Sequence, residues 1–390
     1  MDDVLSSEVV VIGGGAIGAA TAYYLCKEGA EVMIVEAEDL AAGASGACDG
    51  FLSLQTKQLG SHLEMAMESI KLFPEIAKDL EAEIEYNPCG GLMLATTQEQ
   101  MKELRARAKK LKASGLEVEV LSAADLKNYM PEMGKNVKGA SYCPQDAQVN
   151  PIKLTLGLAQ KAQEMGATIL KGVKVENIVV TNNRVREVNT SEGSIHSRRV
   201  VCAAGTGSNQ IGKMIIVDIP VMPQRGQILV TAAREPVLKT IVYGAEYLGT
   251  KASIDELMPK EEEALKLGLG FTAEQTASGN ILLGSTREFA GFDNQTTPEA
   301  INAIAKNAIN YMPWIKDADV IRSFAGLRPY SPDGLPIMGT VKGVRGFYIA
   351  TGHSGDGICL APITGKLISE LVLDGETSLD ISPFSLYRFK

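Results

Sequence analysis

The run VVVIGGGAIG, Val9 to Gly18, constrains this chain more than any other stretch of it. Four apolar residues read as a buried strand, three glycines interrupt it, and AIGAATAYYLCKEGA follows as a helix. Gly13, Gly15 and Gly18 fit GxGxxG. The first glycine permits a tight turn, the second lets a pyrophosphate approach the backbone, and the third lets helix and strand pack closely. The helix begins at Ala16 and Ile17, where unpaired N–H groups and a partial positive charge favour phosphate. A second strand, EVMIVEA, ends on Glu36 and Ala37, with Glu36 18 residues beyond Gly18. A carboxylate there can accept both hydroxyls of an adenosine ribose. Strand, glycines, helix, strand and terminal acid together predict a bound dinucleotide; the plainer alternative is a tight strand-to-helix turn with nothing bound.

Glu36 does not separate NAD from FAD, but three later segments point to a flavin. AAGASGACDG, Ala41 to Gly50, is built of small residues, as needed where backbone skirts a bulky ring. VVCAAGTGSN is a short β run ending in a glycine-bearing turn at Ala204 and Gly205. GFYIATGHSGDGICLAPITGKLISELV supplies a strand, a glycine loop from Gly352 to Gly357, and a long helix entered at Ile358. A helix N-terminus beneath a flavin stabilises the negative charge of the reduced ring. The expected ligand is therefore gripped at one end by the first fifty residues and at the other by the last fifty. Val173 and Val175 are placed either to lend backbone to an adenine or simply to pack.

At 390 residues the chain exceeds one hydrophobic core. We expect an α/β protein in which a Rossmann-like FAD-binding domain, 1–86, 139–222 and 320–390, is interleaved with a substrate or cap domain, 87–138 and 223–319. The second is a mixed, antiparallel-sheet α+β unit. Asn182-Asn183 between two alternating runs predicts strands turning back on each other. A net charge of −9 argues against nucleic acid, and RARAKKLK, after EQMKE, reads as a solvated helix face. No apolar run approaches the roughly 20 residues that span a bilayer. The acidic start MDDVLSSE is unlike a signal peptide, so the expected location is cytoplasmic. The six cysteines are scattered without CxxC, and His62, His196 and His353 are the only histidines, so no metal site is expected.

These residues together resemble the D-amino acid oxidase superfamily of FAD-dependent amine oxidoreductases. The resemblance covers nearly the whole chain: VVVIGGGAIGAATAYYL, GASGACDG, QDAQVNP, GNILLGSTREFAGFD and, most specifically, GLRPYSPDGLPIMG followed by GFYIATGHSGDGICLAPITGK. Within it the chain is similar to the branch of glycine oxidase, sarcosine oxidase and the flavin-bearing β subunits of sarcosine, opine and D-hydroxyproline oxidoreductases. The resemblance implies noncovalent FAD and oxidation of a C–N bond in a small amino or imino acid. Hydride would pass to flavin N5, leaving an imine. No His–acid pair is evident near the site, and an amine that enters deprotonated needs no strong base.

The same resemblance assigns residues. Arg328, in the RP..PDG motif, would bind the substrate carboxylate through a planar fork of charge-assisted hydrogen bonds; its ordinary alternative is a pair with Asp333. Ser45 matches a pyrophosphate contact, and Asp49, Gly50, Phe51 and Leu52 match the segment passing the flavin edge, beside Ala47 and Cys48. Asp49 equally suits a turn cap, and Cys48 small-residue packing. His353 and Ser354 lie near the flavin face by analogy, His353 either touching substrate or satisfied within its loop. Gly355 and Asp356 depart from the glycine oxidase pattern, which has an Arg at the position of Gly355. The family's active-site Tyr falls near Phe271 or Thr272, so Tyr243 or Tyr247 would have to substitute.

Three functions remain open on the sequence. The chain is an amino or imino acid oxidase using oxygen, a dehydrogenase subunit of a hetero-oligomer passing electrons to partner-held redox centres, or a flavin-binding scaffold without turnover.

Overall fold

The computed structural model describes residues 5–80 and 84–389. Val9–Ile12 lies at the centre of the first sheet, parallel to Arg199–Cys202 on one side and Val32–Glu36 on the other. Val344–Thr351 and Thr168–Lys171 extend this parallel core outward. Strand side chains alternate between faces. Val9 and Val11 accordingly pack with the helices Ala16–Lys27, Pro151–Glu164 and Gly357–Leu373, while Val10 and Ile12 pack with Ile178, Val188 and Ile195 on the other side. A strand covered on both faces has to be continuously apolar, which is why VVVI carries no polar residue.

Val175–Thr181 and Arg184–Thr190 form an antiparallel hairpin, turned by Asn182 and Asn183 with φ of +51° and +60°. Positive φ at both central residues matches the right-handed twist of the flanking strands, and asparagine tolerates it. Asn150 caps the helix Pro151–Glu164, its Oδ1 accepting from Lys153 N–H at 3.1 Å.

The second sheet has eight strands, Val320–Tyr330 and Met222–Thr231 at one edge and Glu119–Ser122 at the other. Its pairs are antiparallel apart from Ile241–Gly244 with Gly91–Ala95. Two of its strands, Gly139–Cys143 and Val320–Tyr330, fall in segments the sequence reading assigned to the cofactor domain. The reason lies in pairing that no local pattern reveals. Val320–Tyr330 is 11 residues long and pairs with Met222–Thr231 along its length, which makes it an edge strand of the second sheet. In the basic helix Gln98–Ala113, Arg107 turns inward and donates to the carbonyl oxygens of Gln55 and Lys57 at 2.9 and 2.6 Å. The remaining arginine and lysines of RARAKKLK are exposed. Among the described residues no helix is long and apolar enough to cross a membrane, and no His, Cys, Asp and Glu group is placed to hold a metal.

Candidate active site

A cleft with a cavity of about 370 Å³ opens between the two sheets, along the C-terminal ends of the parallel strands. At one end Gly13, with φ of +114°, turns the chain out of its strand, and a Cβ there would stand 2.5 Å from Ala203 O. Only glycine combines that conformation with that approach. Gly15, Ala16 and Ile17 line the cleft. Gly18 does not; it packs against Gly13, where a Cβ would collide with the Gly13 carbonyl. Glu36, Ala37, Val173 and Val175 line the same end. The Glu36 carboxylate accepts from Gly14 N–H at 2.6 Å and from Glu38 N–H at 2.8 Å, which fixes its orientation at the edge of the glycine turn.

Further along, Ser45, Ala47, Cys48 and Asp49 face Ala204 and Gly205 across the cleft. Ser45 Oγ accepts from Ala16 N–H at 3.0 Å, so a hydroxyl already sits on the helix N-terminus. Burial holds the Cys48 thiol well above its ordinary pKa and raises that of Asp49, against the pull of Arg328. Phe51 also lines the cleft, whereas Gly50 and Leu52 lie behind its wall. Gly50 N–H donates to Glu274 Oε1 at 2.9 Å, and Leu52 belongs to the core.

The far end is closed by His353, Ser354 and Gly355, then Gly357 and Ile358 in the first turn of Gly357–Leu373. Gly352 and Asp356 stand outside the lining. The Asp356 side chain does not cap the helix. It is instead buried in ion pairs with Lys57 at 2.8 Å and Lys251 at 2.7 Å, with His62 Nε2 3.5 Å from its other oxygen. Burial would raise the Asp356 pKa, but the two lysines hold it well below the carboxylate range. Burial brings Lys251 down to about 8 and both His62 and His353 down to about 3, so the histidines are neutral. His62 thus stands beside Asp356 as a neutral imidazole behind the cleft wall, close to it but without a hydrogen bond from Nε2. His353 Nε2 lies 3.0 Å from Thr364 Oγ1.

Arg328 lines the cleft from the second sheet. Its guanidinium lies over Gly226, where any Cβ would collide with it. It donates to Thr286 O at 2.9 Å and Ser285 Oγ at 3.3 Å. It makes no salt bridge among the described residues. Asp333, the alternative partner, is held by Arg388 at 2.9 Å. Tyr247 also lines the cleft, with the guanidinium of Arg287 4.3 Å from its ring centre. Phe271 is elsewhere, stacked on Tyr311 at 4.3 Å and 1% exposed. Tyr243 is likewise outside the lining, its hydroxyl donating to Asp146 at 2.6 Å. Arg287, Lys57, Lys251 and His62 escaped the sequence reading because they sit in unremarkable segments, far apart along the chain, with no spacing to mark them.

The cleft fits a dinucleotide on its own chemistry: glycines where a side chain would obstruct, helix N-termini at both ends, a fixed acid at the end of the second strand, and small residues between. The chain is similar to glycine oxidase of Geobacillus kaustophilus (strain HTA426), 29% identical over 389 residues, covering 98% of this chain and 97% of the relative. The crystal structure of glycine oxidase from Geobacillus kaustophilus superposes with a TM-score of 0.88 at 28% identity, covering 98% of this chain and 99% of the other. That of L-proline dehydrogenase from P. horikoshii gives 0.89 at 26% identity, covering 99% and 98%. Residues 8–371 match the family described as FAD dependent oxidoreductase (DAO). With the family model matching residues 8–371 and both solved structures superposing over nearly their whole length, the chain belongs to this family of FAD-dependent oxidoreductases.

Proposed function

We propose that this enzyme oxidises the C–N bond of a small amino or imino acid to an imine, with Arg328 holding the substrate carboxylate. The carrying observation is a guanidinium that lines the cleft, is fixed by Thr286 and Ser285, and has no salt bridge among the described residues. A fork held on its inner edge presents its other donors to a ligand, and carboxylate matches that geometry. The relatives support the substrate class, since glycine and proline both offer a carboxylate beside a C–N bond.

Gly13, Gly15, Ala16, Ile17, Glu36 and Ala37 would hold the adenosine and pyrophosphate half of FAD. Ser45 to Asp49, Ala204, Gly205 and the 353–358 loop would hold the flavin half. FAD, when bound, supplies the acceptor for the substrate's hydride. The protein's part is to orient and desolvate the amine. His353, neutral and bonded to Thr364, shapes the wall without supplying a charge. Tyr247 forms the wall beside Arg328, its phenol pushed up by burial and therefore protonated. Neither the neutral His353 nor the protonated Tyr247 is poised as a strong base, in keeping with an amine that arrives deprotonated.

The test is anaerobic mixing of the flavin-loaded protein with sarcosine, glycine, proline and D-amino acids, following flavin absorbance. Bleaching by at least one is the expected result; a flavin that none of them reduces sinks the proposal. Reoxidation in air then separates the acceptors. Fast peroxide formation marks oxygen, and slow reoxidation cured by an artificial dye marks a partner redox subunit.

A further inference from the structure

We infer that Asp49 and Glu274 form a proton outlet from the cleft: Asp49 takes the proton that the oxidised substrate nitrogen sheds, and Glu274 passes it to water in a second cavity behind the wall. The inference rests on the function just proposed and assigns it two further residues.

The second cavity, of about 550 Å³, lies back to back with the cleft, and Ala47 and Cys48 line both. The wall between them is therefore a single run of backbone. Asp49 stands on its cleft side, and Glu274 lines the second cavity. Both carboxyls rest on the same turn of that wall. Glu274 Oε1 accepts from Gly50 N–H at 2.9 Å, and the Asp49 carboxylate accepts from Phe51 N–H, the next donor along. Arg328 is close to the same wall. A Cβ on Gly326 would stand 2.1 Å from Ala47 O, and Arg328, two residues on, projects from that same face of its strand.

Glu274 is 5% exposed, and its Oε2 is buried without a partner among the described residues. A buried polar oxygen ordinarily has one. Here it borders the second cavity, with Thr276 Oγ1 in the same condition. The cavity far exceeds the roughly 10–15 Å³ that one water needs. Ile152 and Ile321 in its lining are exposed, so it opens to solvent.

The surrounding charges set the direction. Burial raises the pKa of Asp49, while Arg328, Arg287 and Lys251 pull it down. Burial raises Glu274 well above the carboxylate range, and the acids Asp49 and Glu85 raise it further against the Gly50 N–H. Cys48 and Tyr247 beside Asp49, and Cys89 beside Glu274, are pushed up by burial and stay protonated. Glu274 therefore holds a proton, and with Oε1 taken by Gly50 that proton sits on Oε2, toward the cavity.

When hydride leaves the substrate carbon for FAD, the nitrogen lone pair becomes the second C–N bond and the nitrogen turns cationic. Its N–H bond then breaks with the electron pair kept on nitrogen, which gives the imine, and Asp49 takes the proton. Asp49 gives it to Glu274 as Glu274 releases its Oε2 proton to water, so both groups return to their starting state.

The test uses the flavin-loaded enzyme with Glu274→Gln, which keeps the Gly50 contact but cannot titrate, and Glu274→Asp as the conservative variant. At rest and pH 7 the infrared spectrum is expected to show the carbonyl stretch of a protonated carboxylic acid, kept in Asp49→Asn and lost in Glu274→Gln. The enzyme is then mixed anaerobically with sarcosine, glycine, proline and D-amino acids in weak buffer, with a pH indicator following the proton. In the wild type the proton is expected to appear as fast as the flavin bleaches. In Glu274→Gln and Asp49→Asn it should lag bleaching about a hundredfold, with Glu274→Asp recovering part of the rate. An infrared spectrum unchanged by Glu274→Gln overturns the inference. So does a variant whose proton keeps pace with bleaching, even when both are slow, since that marks a structural role on the Gly50 turn. Either result leaves the proposed function standing; a flavin that no amine bleaches removes both.

Discussion

Lys57 and Asp356 form an ion pair 2.8 Å long in which the side chains are 1% and 3% exposed. It ties the 53–57 loop to the entry of the helix Gly357–Leu373, whose first turn lines the cleft. Removing one member of a buried pair leaves the other charge under-compensated, at a cost of about 3–5 kcal/mol when no other partner remains. Lys251 still shares Asp356, so Lys57→Met should lose the lower part of that range, about 3 kcal/mol. A urea midpoint equal to wild type would show that the pair does not hold this junction.

The two buried histidines make a pH prediction. Burial lowers His62 and His353 from the free value of 6.5 to about 3 in the folded protein. As pH falls from 6.5 toward 3 the unfolded chain binds protons that the folded one refuses, so stability is present above that window and lost as pH falls through it. The slope is at most about 1.4 kcal/mol per pH unit for each histidine. His353→Asn, which can keep a bond to Thr364, should roughly halve their combined contribution. Urea unfolding of the flavin-loaded protein at pH 6, 5 and 4 measures this, and identical slopes for the two proteins would contradict it.

Arg328→Lys keeps a charge but loses the planar fork. Hydrogen bonds to charged groups contribute about 1.5–3 kcal/mol each, so loss of one should raise the apparent substrate constant roughly ten- to a hundred-fold. Flavin content and spectrum should stay as in the wild type. The readout is the substrate dependence of anaerobic bleaching, and an unchanged constant would remove Arg328 from the binding site.

Gly226→Ala tests the same guanidinium without touching it. A methyl at 226 would occupy the space of the Arg328 head, which must then leave its anchors on Thr286 and Ser285. We expect substrate binding to weaken as much as in Arg328→Lys, with the two substitutions combined costing less than their sum. Full additivity would show that Gly226 acts elsewhere.

Glu36→Ala should weaken FAD binding about tenfold, the equivalent of about 1.4 kcal/mol, because it removes an acceptor at the ribose end and leaves Gly14 N–H unpaired. Equilibrium dialysis of flavin from the two proteins gives the ratio. Equal affinity would place the ribose away from Glu36.

Much of this protein is written locally. The VVVI strand, the glycine turn at 13 and the Asn182-Asn183 hairpin follow from backbone rules that act over a few residues. So does the Asn150-Pro151 helix start, because φ preferences, caps and apolar alternation leave few other solutions. Glu36 at the end of the second strand belongs with them, since the register of adjacent parallel strands carries it to the glycine turn.

The cleft's chemistry was legible only where a motif names it, as at Arg328 and the 352–358 loop. Phe271 had a family position but is buried against Tyr311 of the helix Pro298–Tyr311, a contact between segments some forty residues apart that no local pattern marks. Lys57, His62, Lys251 and Asp356 converge from three distant segments, and Arg287 owes its place beside Arg328 to the pairing of strands far apart in the chain. Sequence alone thus determined the glycine turn, which short-range backbone geometry dictates, and the fold class and kind of cofactor, which motifs at the two ends of the chain carry. Which charged groups meet around the cleft, and which are left without a partner, was decided by the tertiary structure, because only the packing of distant elements sets the distance between two charges.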